Sequence, residues 1–208
     1  MGKLLVGLTG QTGAGKSTVS ELLQKEGFGR IDADAVSRTV CGPGMPCVLA
    51  LAEAFGEEIL LPGQVLDRRG LAKKAFSSPE NTALLNRITH PFIKEEIRRQ
   101  TVEAFREADI LLLDAPTLYE SGCDSLCGYV IAVIADPQIR RERILSRDGI
   151  TPQEAERRMS AQGGDEFYTA RADLVIRNDG SLEELIPLCK NAADLLRKIA
   201  APNSTPCI

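Results

Sequence analysis

The sequence predicts an α/β fold with a five-stranded parallel sheet, and three observations carry that reading. Short apolar runs alternate with segments of helical period. The runs are continuous rather than alternating, as strands are when helices cover both faces of a sheet. A glycine-rich stretch stands where the first run gives way to the first helical pattern.

The runs are Leu4–Leu8, Phe28–Ile31, Ile110–Leu113, Tyr129–Ile134 and Leu174–Ile176. After the first, Ser17–Lys25 places Val19, Leu22 and Leu23 at helical spacing, and Gly27 is positioned to stop the helix. Arg98–Glu107 continues a charged amphipathic helix into the third run. Such alternation implies right-handed crossovers between parallel strands. Two connections are too long to be loops. Residues 35–106 carry helical patterns around Val48–Phe55, Leu71–Phe76 and Pro91–Phe105, and read as an inserted helical subdomain. Residues 138–172 are rich in arginine and contain Gly163-Gly164, which reads as a mobile flap with a hinge. The core is therefore expected from residues 1–34, 107–137 and 173–200, with 201–208 as a frayed tail.

Composition narrows the class of function. With 208 residues, 43% hydrophobic and 26% charged, the chain suits one globular domain with an insertion. No apolar run approaches the length of a bilayer span, and Leu4-Leu5-Val6 is too short for a signal-peptide core. The expectation is a cytoplasmic protein with no membrane partner, acting as a monomer or weak homo-oligomer. A net charge of −4 argues against a nucleic-acid partner, which would call for a basic face. The six cysteines (41, 47, 123, 127, 189 and 207) form no Cys-x-x-Cys, and the single histidine, His90, has no cysteine neighbour. No zinc site is expected, and the thiols are expected to be free.

The glycine-rich stretch is the sharpest signal. Gly10-Gln-Thr-Gly-Ala-Gly15-Lys16-Ser17 satisfies G-x-x-x-x-G-K-[S/T] between a strand and a helix. Its glycines let the backbone curl so that several N–H groups point at one anion, and the helix N-terminus adds its positive end. Lys16 supplies a point charge to β- and γ-phosphates, and the Ser17 hydroxyl can ligate Mg²⁺. This is a phosphate cradle. A GTPase would add an Asn-Lys-x-Asp motif after a strand. Asn191-Ala-Ala-Asp194 lacks the lysine, and Asp67-Arg-Arg-Gly70 precedes an apolar helix. A small-molecule kinase fits better, because it needs a subdomain for the acceptor and a lid over the donor.

Other residues could complete such a site. Ile31-Asp32-Ala-Asp34 follows the second strand at the carboxyl edge, where ligands bind in open α/β sheets. Extended alternation puts Asp32 and Asp34 on similar sides, and Asp34 is the candidate base for an acceptor hydroxyl. Either aspartate could instead cap the next helix. An unperturbed aspartate is a weak base toward an alcohol, so proton transfer should come late in a loose transition state. Asp114 ends the third strand as a metal-binding carboxylate would. Arg140, Arg143 and Arg147 share one helix face, a solvated charged face or a set of phosphate clamps, of which Arg143 and Arg147 are favoured. His90-Pro91 reads as the introduction to a new helix.

Taken in order, these elements resemble a known family. Gly10–Thr18, Ile31-Asp-Ala-Asp34 with Arg38, Phe55-Gly56, Asp67-Arg68, His90-Pro91, Pro116-x-Leu118-x-Glu120-Ser, Arg143-x-x-x-Arg147-Asp-Gly, Gln162 and Ala172-Asp-x-Val-Ile-x-Asn178 are similar in spacing to the dephospho-coenzyme A kinases. The resemblance runs from residue 3 to about residue 198. It implies phosphorylation of the ribose 3′-hydroxyl of dephospho-CoA by Mg·ATP on a P-loop core of the nucleoside-monophosphate-kinase type, with a helical CoA-binding insertion and an arginine lid. It further implies that Gly13, Ala14, Gly15, Lys16, Ser17 and Thr18 hold ATP with Arg147 and Asn178, the latter near the adenine. Asp34, Lys16 and Arg143 would be catalytic. Thr9, Asp32, Arg38, His90, Leu118 and Glu120 would face dephospho-CoA. Ser17 would bind Mg²⁺ directly, with Asp34 and Asp114 acting through water.

The chain departs from the family at Thr117, where a Leu is usual, and at Arg140, where a Gln is common. Gly163-Gly164 replaces a Met and a small residue, and Tyr168 stands where a Lys is common. A kinase for another small acceptor, such as a nucleotide or a shikimate-type alcohol, and a nucleotide-binding regulatory protein remain the alternatives.

Overall fold

Strand β1 (Leu4–Gly10) is buried along its whole length, because it lies at the centre of the sheet. In this computed structural model, which describes residues 2–201, the sheet has five parallel strands in the order β2-β5-β1-β6-β7. Here β2 is Gly29–Asp32, β5 Ile110–Asp114, β6 Tyr129–Ile134 and β7 Leu174–Arg177. Each expected strand is present. Positions 202–208 of the tail read from the sequence lie outside the described residues.

One face of β1 sends Leu4, Val6 and Leu8 into a core shared with Val19 and Leu23 of α1 (Lys16–Lys25). Leu185, Cys189, Ala192, Ala193 and Leu196 of α9 (Leu182–Ala200) complete that core. A capping box of Ser181 and Glu184 starts α9, satisfying two backbone donors that would otherwise be left open. On the other face Gly7 lets Leu118 approach: a Cβ there would stand 2.7 Å from Leu118 Cδ2. The register pairs Leu8 with Asp114 on β5 and Gly10 with Val133 on β6. Asp114 therefore emerges at the same edge as the glycine-rich loop. Among the described residues no helix is long and apolar enough to cross a membrane.

The chain divides into two compact units. One comprises the residues up to Ile31 and those from Thr101 onward; the other is Asp32–Gln100. The second unit holds α2 (Ala33–Val40), α3 (Pro46–Phe55), the short hairpin β3 (Leu60–Leu61) and β4 (Val65–Leu66), and α4 (Arg68–Ala75). Helix α5 (Pro79–Ala104) begins in it. It has a core of its own around Val48, Leu51, Phe55, Ile59, Leu71 and Ala75.

Helix α5 corrects the sequence reading, which started a new helix at His90-Pro91. Pro91 lies inside one continuous 26-residue helix. It denies the Arg87 carbonyl its partner, and an interior proline costs about 3 kcal/mol. Leu84, Leu85 and Ile88 before it, and Phe92 after it, all pack on the same core. These side chains are partly buried, and apolar burial at about 25 cal/mol per Å² on both sides of the proline offsets the lost hydrogen bond. Leu51 is fully buried in this core. Leu51→Ala should lower stability by about 2–5 kcal/mol, measured by denaturant unfolding.

Candidate active site

The loop from Gly10 to Gly15 is shaped by what presses on it. Gly13 has φ +78° and a Cβ there would stand 2.6 Å from the Arg140 carbonyl oxygen. Gly15 has φ +92° and a Cβ there would stand 2.2 Å from Asn178 Nδ2. Both positions combine a left-handed backbone with no room for a side chain, so only glycine serves. Asn178, just past the end of β7, is 6% exposed and donates its amide to the Ala14 carbonyl at 2.8 Å. Lys16 and Ser17 then open α1, whose free N–H groups face the loop's concavity.

Beside the loop, Asp114 is 3% exposed and carries two cations. Lys16 Nζ bonds its Oδ1, and Arg30 Nη2 lies 2.8 Å from its Oδ2. A buried carboxylate needs such partners, since an unpaired buried charge costs several kcal/mol. The pairing also holds both side chains beside the glycine loop. Arg30 was missed in the sequence. Its signal was a charged residue inside the otherwise apolar run Phe28–Ile31.

Residues 137–171 form α6 (Pro137–Asp148), α7 (Pro152–Ser160) and α8 (Asp165–Thr169). Three hydrogen bonds latch this segment to the cradle. The Thr12 N–H donates to Gln162 Oε1 at 2.7 Å, Gln11 Nε2 to the Gly163 carbonyl at 3.2 Å, and Arg140 Nε to the Thr12 carbonyl at 3.0 Å. Phe167 meets Tyr119 and Tyr168 edge-on while the two tyrosines are tilted to each other, and the Tyr119 hydroxyl donates to the Tyr168 carbonyl at 3.3 Å. The Arg171 guanidinium lies 4.1 Å from the Tyr119 ring centre and 4.4 Å from that of Phe167.

The three arginines expected on one face have separate partners. Arg140 is buried against the loop, which pushes its pKa down. Arg143 donates to the carbonyls of Asn178 (2.9 Å) and Gly180 (3.3 Å), and its Nη1 lies 4.0 Å from where a Gly15 Cβ would be. Its guanidinium thus borders the loop at Gly15, while that of Arg140 meets the loop at Thr12. Arg147 makes two hydrogen bonds to Asp148, which Arg158 also joins. Neither Gly163 nor Gly164 takes a left-handed φ, and a Cβ at Gly163 would stand 2.5 Å from Phe167 Cβ.

Comparison with known proteins decides the family. The family described as dephospho-CoA kinase matches residues 4–184. A dephospho-CoA kinase of Corynebacterium glutamicum is 44% identical over 198 residues, covering 94% of this chain and 99% of that one. The chain belongs to the dephospho-CoA kinase family. A solved structure from Thermus thermophilus superposes with a TM-score of 0.74 at 30% identity, covering 94% of this chain and 99% of the other. The dephospho-CoA kinase from Campylobacter jejuni gives a TM-score of 0.70 at 24% identity, covering 95% and 98%, and supports the fold alone.

Other residues expected at the site of a dephospho-CoA kinase divide between the two units. In the first, Thr9 and Leu118 are fully buried. Thr9 Oγ1 donates to the Pro116 carbonyl at 3.2 Å, and Leu118 packs against Gly7, so both are held by backbone contacts rather than presented to solvent. Glu120 is exposed. In the second, β2 stops at Asp32, whose side chain accepts from the Ala35 N–H at 2.9 Å and caps α2. The extended alternation expected to carry Asp34 therefore ends two residues early. Asp34 sits in the first turn of α2, exposed and without a hydrogen-bond or ion-pair partner among the described residues. Arg38 is exposed in the last turn of α2. His90 is half-buried in α5, and burial together with Lys94 holds its pKa low.

The latch yields a test for this dephospho-CoA kinase. Gln162→Ala removes an acceptor worth about 1 kcal/mol, which corresponds to a roughly fivefold higher open population. Hydrogen–deuterium exchange over residues 163–172 should rise by about that factor.

Proposed function

We propose that this kinase transfers the γ-phosphoryl group of ATP to the ribose 3′-hydroxyl of dephospho-CoA, giving coenzyme A and ADP in the last step of coenzyme A synthesis. The observation that carries the reading is the glycine loop with Lys16 and Arg30 fixed beside it on one buried carboxylate. Backbone N–H groups from Gly13 to Thr18 bind the phosphate chain, and Lys16 neutralises charge at the β- and γ-oxygens. Arg143, whose guanidinium borders Gly15, meets charge that develops on the transferring group. Arg147 contributes from the next turn of α6 once it exchanges Asp148 for a phosphate oxygen. Asn178 braces the loop and borders the adenine pocket.

Asp34 is the proton acceptor. Its carboxylate is unengaged, whereas Asp32 is committed to its helix cap. The acceptor oxygen attacks phosphorus, the bond to the ADP oxygen breaks, and the hydroxyl proton passes to Asp34. In the loose transition state this transfer comes late, so an ordinary aspartate is basic enough. Asp32, Arg38, His90 and Glu120 serve the acceptor. Thr9 and Leu118 are assigned to the acceptor as well.

Magnesium fits the donor set. Among the described residues no cluster of three or more His, Cys, Asp or Glu side chains could hold a metal alone. Ser17 and Asp114 supply one hydroxyl and one carboxylate, the sparse all-oxygen set that Mg²⁺ uses when phosphates and waters complete its shell. When bound, the ion draws charge from the β- and γ-phosphates. The reaction belongs in the cytoplasm and needs neither a membrane nor a nucleic acid, with the protein acting as a monomer or weak homo-oligomer.

Incubation with Mg·ATP and dephospho-CoA, followed by mass and positional analysis of the product, should show one new phosphate on the ribose 3′-oxygen. Phosphate appearing on other acceptors instead would assign a different substrate to the same scaffold. Lys16→Ala should abolish turnover and weaken ATP binding. Asp34→Asn should leave ATP binding intact while slowing transfer by about 10²–10⁴-fold. Near-wild-type turnover of Asp34→Asn would remove Asp34 from the chemistry.

A further inference from the structure

Helix α2 ends at Cys41, its C-cap, and α3 places Cys47 in its first turn. The turn between them brings the two thiols together with their Sγ atoms 3.9 Å apart. Cys41 is half-buried and Cys47 is buried. The other closely spaced pair lacks this geometry: the Cys127 thiol donates to the Cys123 carbonyl at 3.6 Å.

The surroundings divide the labour between the sulfurs. Either thiol can donate across this contact; a hydrogen bond from Cys47 to the Cys41 thiolate, with the Arg68 guanidinium nearby, lowers the Cys41 pKa to about 7. A substantial share of Cys41 is thus thiolate at neutral pH, which is the nucleophilic form. The same hydrogen bond, burial and the Cys41 charge push the Cys47 thiol up. Two of those three causes vanish once Cys41 is converted to a neutral sulfenic acid, and Cys47 can then act as the resolving thiol.

We propose that Cys41 and Cys47 form a dithiol–disulfide site that hydrogen peroxide oxidises and a small dithiol reduces again. The Cys41 thiolate attacks one peroxide oxygen; the O–O bond breaks, leaving Cys41 sulfenic acid and hydroxide. Cys47 sulfur then attacks the Cys41 sulfur, the S–S bond forms and the S–O bond breaks. Water leaves with the Cys47 proton, and the hydroxide takes up the proton that Cys41 had lost. Two thiols are oxidised while one peroxide becomes two waters. The sulfurs must close from 3.9 Å to a bond of about 2.05 Å. The connecting turn can yield, since it contains Gly42 and Gly44, the latter at φ +67°. The bond would tie the C-terminal end of the helix bearing Asp34 and Arg38 to the start of α3, a covalent clip within the second unit.

The test uses the full chain treated with hydrogen peroxide, quenched with catalase, alkylated under denaturing conditions and digested with trypsin. No Lys or Arg lies between Thr39 and Asp67, so both thiols stay in one peptide that ends at Arg68. The expected product is that peptide lighter by two hydrogens and closed to alkylation, regaining two alkylatable thiols after dithiothreitol. In Cys47→Ser the reaction should stop at a Cys41 sulfenic acid that dimedone traps. Accumulation of dimedone-reactive or sulfinic Cys41 in the unsubstituted protein, or a cross-link from Cys41 to another cysteine, would overturn the proposal. Two unmodified thiols at peroxide doses that oxidise Met45 in the same peptide would do so as well. The unsubstituted protein discriminates these outcomes even if Cys47→Ser fails to fold.

Discussion

A carboxylate buried at the carboxyl edge of the sheet sets the terms for everything around it. Asp114 arrives there because β5 pairs with β1 in a register that ends at Leu8 and Asp114. Once buried, it must be neutralised, and Lys16 from the first turn of α1 and Arg30 from β2 do this from two sides. Three elements far apart in sequence are thereby fixed to one point. The need to satisfy a buried acid thus places two cationic side chains beside the loop.

The glycine loop gains its shape from outside as much as from its own residues. Asn178 holds Ala14, Arg140 holds Thr12 from one side, and Gln162 holds it from the other. Three residues that the sequence reading singled out, Arg140, Tyr168 and Gly163, fall at or beside this support. Arg140 reaches the Thr12 carbonyl with a long donor. Tyr168 is fully buried in the aromatic cluster, a place where a lysine would meet a large desolvation cost. Gly163 admits Phe167 to that cluster. Residues 140–168 are thus tied to the loop and to Tyr119 through neutral hydrogen bonds and aromatic packing as well as through Arg140.

Much of the fold was legible because its signals are local. Every strand run, the stop at Gly27 and the phosphate-binding loop follow from residue type and spacing. The errors arose where a local rule met a distant contact. Proline normally ends a helix, yet α5 runs through Pro91 because Leu85, Ile88 and Phe92 share one core. Strand alternation was carried through Asp34, yet the Asp32 side chain caps α2 and turns the chain two residues earlier. The arginine stripe of α6 singled out Arg143 and Arg147, and in the structure burial, a carbonyl pair and an adjacent aspartate give its three members different partners. Arg30 passed unremarked because a lone charge in a strand has no meaning until its partner across the sheet is known.

The sequence by itself determined the α/β alternation, the phosphate cradle and the family, since each rests on short-range periodicity or on motifs whose residues are near one another or in fixed order. Tertiary structure alone decided which acid the cradle is built around, which aspartate after β2 remains free, which arginine borders the loop and which two of the cysteines touch. These depend on register, burial and the exact meeting of side chains tens of residues apart. Such contacts are selected by the packing of the whole chain, and no local stretch of sequence encodes them.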